Sequence, residues 1–197
     1  MKNSIRNMVL MPVMILYELY QEVSANVKRA APGGYNTTCW FREVDKFTSL
    51  KTPPASGTVE GQMRIITETH TFAVDDGFIQ GSGHQEGGSM EGEPQGEPGE
   101  QGLPMYKFTL FFVGDHAPLR ERVEEMSNRS FVLLFKDPKC SDTRILQLGG
   151  DCDPALTSFK FTSGSRKTGG KKGYLVTFQS SELNDYQGTV TEKVPSS

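Results

Sequence analysis

The chain has 197 residues, 36% hydrophobic and 23% charged, with 21 Lys+Arg against 24 Asp+Glu for a formal net charge of -3. That balance excludes a strongly basic nucleic-acid coat and a polybasic membrane anchor. The composition is that of a soluble globular chain made slightly polar by 21 Gly and 11 Pro. One core can form at this length, since a domain of about 150 residues removes roughly 70% of its unfolded surface from water. Three cysteines, Cys39, Cys140 and Cys152, are too few for a disulfide framework and favour folding in a reduced cytosol.

At the N-terminus, Lys2 and Arg6 precede an apolar run from Met8 to Leu16. Pro12 interrupts that run, Glu18 and Glu22 follow it, and no small-x-small cleavage site appears before Ser24-Ala25-Asn26. The run is also far shorter than the ~20 residues that span a bilayer. It reads as a buried strand rather than a secretory signal, with a short helix as the remaining option. Tyr17 to Val27 fits a short amphipathic helix through Leu19 and Val23. The sequons at Asn36 and Asn128 are chance matches if the chain never enters a secretory pathway.

Turn clusters at Ala31–Gly34 and Pro53–Gly57 separate apolar runs at 7–20, 38–44 and 62–74. The last of these, from Gln62 to Phe72, is rich in β-branched residues and predicts a strand with one wet face. Residues 81–104 hold eight glycines, three prolines and five glutamates and have almost nothing to bury, which predicts a flexible acidic loop. Three collagen-type triplets run from Gly96 to Pro104. An extended linker accounts for them; the sharper alternative is three copies meeting on an axis as a trimer.

Residues 105–180 carry the clearest pattern. Tyr106, Phe108, Leu110 and Phe112 alternate with Lys107 and Thr109 as in a strand with one apolar face. Gly114-Asp115 then opens a helix in which Asp115 is expected to cap, Pro118 is tolerated, and Leu119, Val123 and Met126 share a stripe. Asn128 suits the stop. Strands are predicted at Phe131–Lys136, Ile145–Leu148, Ser158–Thr162 and Gly173–Gln179, with turn residues between them. The fold class expected is therefore α+β, mainly antiparallel β (sandwich or barrel-like), with one inserted amphipathic helix and a long flexible Gly/Pro/Glu loop. Residues 1–180 read as a single domain interrupted at 81–104, and 181–197 as a polar tail that frays.

No catalytic constellation emerges. The stretch Gly164–Gly173 resembles a phosphate-binding loop, but Gly170 stands where the lysine belongs and a strand follows instead of a helix. What remains is a basic turn, Arg166, Lys167, Lys171 and Lys172, either a solvated hairpin loop or a docking loop for DNA or an acidic neighbour. Cys140, Asp142, Asp151, Cys152 and Asp153 lack zinc or calcium spacing, so no metal or cofactor is expected. His70, His84 and His116 are scattered, and no Ser or Cys nucleophile shows a base. Trp40 and Phe41 read as core packing rather than a ligand platform.

The runs GDHAPLRERVEEMSNRSFVLLFKDPKC and RILQLGGDCDPALTSFKFTSGSRKTGGKKGYLVTFQSSE carry a familiar order: helix, "F-x-L-x-F-x-D" strand, aromatic strand, Gly-rich turn, "G-Y-x-x-x-F". With Phe131, Leu133, Phe135, Asp137, Phe159, Phe161, Gly173, Tyr174 and Phe178 at those places, the last half resembles small β-rich structural proteins of the tail or head–tail module of Bacteroides-type phages and prophages. Thr38–Phe47 resembles them more faintly, while the acidic insertion and the basic turn depart from the pattern. The resemblance implies a virion component, made in the host cytoplasm, that is not an enzyme. It implies a homo-oligomer, ring or tube, with other virion structural proteins as partners, non-specific contact with phage DNA at the basic turn, and no membrane. The rival reading is a monomeric β-barrel module binding a ligand or nucleic acid, with a concave aromatic site around Trp40.

Overall fold

A computed structural model describes the protein over residues 38–83, 89–95, 102–127, 129–136, 144–164 and 171–194. The N-terminal run, the Tyr17–Val27 helix, Cys140, Asp142, Arg166 and Lys167 lie outside the described residues. Among the described residues the chain forms twelve strands and one α-helix, α+β and mainly antiparallel as expected.

The strand β8, Ser130–Lys136, organises the rest. Its sequence SFVLLFK is apolar without alternation, the pattern of a strand covered on both faces, and Phe131 to Phe135 are all buried. On one edge it pairs antiparallel with β1 (Thr38–Glu43), which in turn pairs with β5 (Ile79–Ser82). Its other edge is shared end to end. Leu133–Lys136 face β9 (Ile145–Leu148), while Ser130 and Phe131 face the start of β10 (Ala155–Thr162). The sheet therefore forks. One arm continues from β9 to β12 (Leu183–Tyr186) and then, in parallel, to β3 (Ile65–Ile66). The other runs antiparallel through β10, β11 (Gly173–Ser180), β7 (Met105–Val113) and β6 (Ser89–Glu93).

The fork needs Gly149. Its φ of +86° is a left-handed conformation, and a Cβ there would lie 2.5 Å from the Ala155 nitrogen and 2.9 Å from the Phe131 carbonyl oxygen. Only glycine lets β9 and β10 approach β8 so closely.

Two cores result, one on each face of β8. Phe131, Leu133 and Phe135 pack with Cys39 and Phe41 against Phe108, Leu110, Phe112, Tyr174, Val176 and Phe178 of β7 and β11. Phe108 stacks on Phe135 with ring centroids 4.4 Å apart, a contact worth about 0.5–1.5 kcal/mol beyond the area it buries. The helix α1, Ala117–Met126, closes one end of this core with Leu119, Val123 and Met126, the stripe read from sequence. On the reverse face Val132 and Leu134 join Trp40, Ile66, Phe78 and Tyr186. A small two-stranded sheet of β2 (Phe47–Ser49) and β4 (Thr71–Phe72) borders that second core.

Four expectations change. The acidic 81–104 segment contains β6, because β7 offers it a ladder, the core receives Met90, and Lys107 pairs with Glu93 at 2.8 Å. The polar C-terminal stretch contains β12, held between β9 and β3 with Asn184 and Tyr186 buried. The 62–74 run divides into a 3-10 turn (Gln62–Arg64), β3 and β4, since Ile66 and Phe72 pack at different places around the second core. Asp115 does not cap α1; His116 takes the N-cap position without a side-chain bond, and Asp115 is engaged elsewhere.

Candidate functional site

The foot of the basic turn is built where β7 ends and β11 begins. Gly114, with φ +123°, turns the chain out of β7, and its amide donates to the Lys172 carbonyl at 2.9 Å. That turn aims the Asp115 carboxylate at three donors. Lys172 Nζ lies 2.6 Å from Oδ2, Arg120 Nη2 lies 2.7 Å from Oδ1, and the Tyr174 hydroxyl donates to Oδ1 at 3.2 Å. Lys172 and then Arg120 hold the Asp115 carboxyl well below the usual carboxylate range. Lys172 also sits 5.7 Å above the Phe161 ring, a cation–π arrangement. Of the four predicted basic residues, then, the structure describes Lys171 and Lys172, and it shows Lys172 tied to the body rather than standing out from it.

Beside this foot runs the outer half of β10. After Leu156 it loses contact with β8, so among the described residues Ser158–Thr162 pair only with β11. Phe159 and Phe161 point to the core side, each edge-on or tilted against Tyr174, yet they are 39% and 42% exposed. The alternation of these two rings was legible in the sequence. Their position at an uncovered margin was not, because it depends on β10 diverging from β8 and on α1 ending at Met126, whose carbonyl accepts from the Thr157 hydroxyl. At the opposite end of the same four strands, β6 is likewise a margin and presents Ser89, Glu91 and Glu93 to solvent.

A cleft of about 270 Å³ lies between β1, β8 and the end of α1, with Phe41, Met126 and Phe131 at its base. Its charged lining is tied up in ion pairs: Glu43 with Arg129, Arg122 with Glu125 at 2.6 Å, and Arg42 and Lys46 with Asp76 and Asp45 outside the cleft. In the second core, His70 Nδ1 accepts the Lys51 amide at 3.0 Å, so Nε2 carries the proton and donates to Gln147 Oε1 at 2.8 Å. Burial, first of all, lowers the His70 pKa, and its ring stacks on Tyr186 at 4.8 Å. These contacts join loops to β9 and make His70 part of the packing. Trp40 is also core: its Nε1–H donates to Glu192 at 2.8 Å, with Lys136 over the ring. Cys39 is fully buried, which pushes its thiol up to about 12 despite a hydrogen bond with the Gly81 backbone, whereas Cys152 is exposed. No group of three or more His, Cys, Asp or Glu among the described residues is placed to hold a metal ion. No helix among them is long and apolar enough to cross a membrane.

No family model and no curated protein matches this chain. Among solved structures, a chain from the anti-feeding prophage baseplate, determined by cryo-electron microscopy with sixfold symmetrisation, is similar at 10% identity. The alignment covers 80% of this chain and 93% of that one with a TM-score of 0.29.

Proposed function

We propose that this chain is a structural component of a phage tail or head–tail (neck) region that assembles into a ring or tube through subunit interfaces and performs no catalysis. The observation that carries this reading is the margin of β10, where two phenylalanine rings continue the core face of the sheet past the last β8 pairing and, though packed on Tyr174 and in the case of Phe161 approached by Lys172, remain partly exposed. Unpaired strand edges are templates for another strand. An exposed aromatic pair on such an edge is a surface suited to burial against a neighbour. The sequence resemblance of the last half to phage structural proteins points the same way. In such an assembly the turn bearing Arg166, Lys167 and Lys171 faces the DNA path or an acidic neighbour, with Lys172 fixing its foot through Asp115.

The test is sedimentation velocity and negative-stain electron microscopy of the purified full chain. Rings, tubes or concentration-dependent oligomers are expected, and a monomer at every concentration overturns the reading. Neutralising Arg166, Lys167 and Lys171 to Gln, with Lys172 retained, is expected to alter the salt dependence of assembly. Unchanged particles would remove the docking role of the turn.

A further inference from the structure

The sheet arm β10–β11–β7–β6 has four antiparallel strands and two open margins among the described residues. An even number of alternating strands has a geometric consequence. When a second copy is placed beside the first by rotation or translation, its β6 runs antiparallel to the first copy's β10. The alternation then continues unbroken across the junction.

The two margins also match side by side. Along Ser158–Thr162 the edge of β10 away from β11 has no strand partner among the described residues, and β6 is five residues long, so one ladder spans both. On the outer face β10 offers Lys160 and β6 offers Glu91 and Glu93, with Glu93 already bonded to Lys107. On the core face β10 offers Phe159 and Phe161, and β6 offers Met90 and Gly92. Methionine against aromatic rings is a favourable pairing, and the Tyr106 ring lies over Gly92, 3.2 Å from where a Cβ would stand, so this margin too carries aromatic surface. Opposite charges thus meet on one face and apolar groups on the other. A β10–β10 junction would set Lys160 against its own copy, and a β6–β6 junction would set glutamates together.

We propose that β6 of one copy pairs antiparallel with Ser158–Thr162 of β10 in the next, a head-to-tail interface that repeats around a ring or along a tube. This inference rests on the assembly reading above and specifies the surface and its partner, a second copy of this chain.

Charge reversal with complementation tests it. Lys160→Glu and Glu91→Lys are each expected to weaken association by about fivefold per interface, from loss of a cross-strand attraction and gain of a repulsion. An equal mixture of the two variants is expected to recover assembly, since each acidic margin then finds a basic one in alternating copies. Circular-dichroism melts verify that each variant folds. Hydrogen exchange on the parent chain supplies a readout free of mutation: amides in Ser158–Thr162 and Ser89–Glu93 gain protection on assembly. If the parent assembles but these amides stay unchanged, or the mixture behaves like the separate variants, the head-to-tail pairing is wrong and the assembly reading stands. A parent that never associates overturns both.

Discussion

Lys172 Nζ reaches the Asp115 carboxylate at 2.6 Å and so fastens the start of β11 to the junction between β7 and α1. The same carboxylate receives Arg120 and Tyr174, which makes it an acidic anchor of the basic turn's foot.

Replacing Asp115 by Asn is expected to lower the melting temperature at neutral pH. The sign follows from the depressed pKa: the folded carboxyl holds its proton less readily than the unfolded one, whose ordinary value is 3.8. The anchor's contribution is complete above that value and is lost as pH falls through the folded value. Thermal melts of parent and variant should therefore differ at pH 7 and converge at strongly acid pH. A gap that stays constant with pH contradicts the assignment.

His70 gives a different pH window. Its folded pKa lies below the ordinary 6.5 because the ring is buried, so the unfolded chain takes up the proton first and stability falls as pH drops below about 6.5. Protonation also costs Nδ1 its role as acceptor of the Lys51 amide. His70→Gln is expected to be less stable than the parent at pH 8 and to lose less further stability between pH 7 and 5. Denaturant titrations across that range measure both effects.

Arg42 and Asp76 form a second anchor, with Nη2 at 2.6 and 2.7 Å from the two carboxylate oxygens and Arg42 itself buried. Burial pushes the Asp76 carboxyl up, but the Arg42 and Gly77 hydrogen bonds and the nearby positive charges outweigh it and hold the value below the ordinary range. Asp76→Ala leaves a buried guanidinium without its partner and is expected to cost about 3–5 kcal/mol. The double variant Asp76→Ala with Arg42→Met should recover part of that loss in urea unfolding.

Gly149→Ala is expected to destabilise the protein by about 1–3 kcal/mol from backbone strain alone, with the contact to Ala155 adding to it. The control is Gly61→Ala. Gly61 shares the positive φ, but a Cβ there meets nothing within 4 Å, so the difference between the two variants reports the close approach at the fork.

Local pattern made some of this fold legible and left the rest hidden. The alternation of Phe108, Leu110 and Phe112, the stripe of Leu119, Val123 and Met126, and the unbroken SFVLLFK run each state a burial pattern within one element, and each is realised. Segments stabilised from outside escaped notice. Ser89–Glu93 has the composition of a loop and becomes a strand because β7 supplies the ladder and Lys107 the countercharge. Leu183–Tyr186 looks polar, yet Tyr186 stacks on His70 from across the chain. Asp115 has the identity of a helix cap, but the donors that claim it are Arg120 of α1, Tyr174 of β11 and Lys172 just before β11. As for the site, the charges of the turn were readable, while the exposed margin at Phe159 and Phe161 follows from where β10 leaves β8, which no spacing in the sequence records.

The strand Ser130–Lys136 is a wall common to both apolar compartments, with Phe131, Leu133 and Phe135 serving one and Val132 and Leu134 the other. Neither compartment can be opened by withdrawing it without emptying the other. The described body is therefore expected to melt as one cooperative unit, with loss of Phe135 packing on one side releasing Trp40 on the opposite side in the same transition.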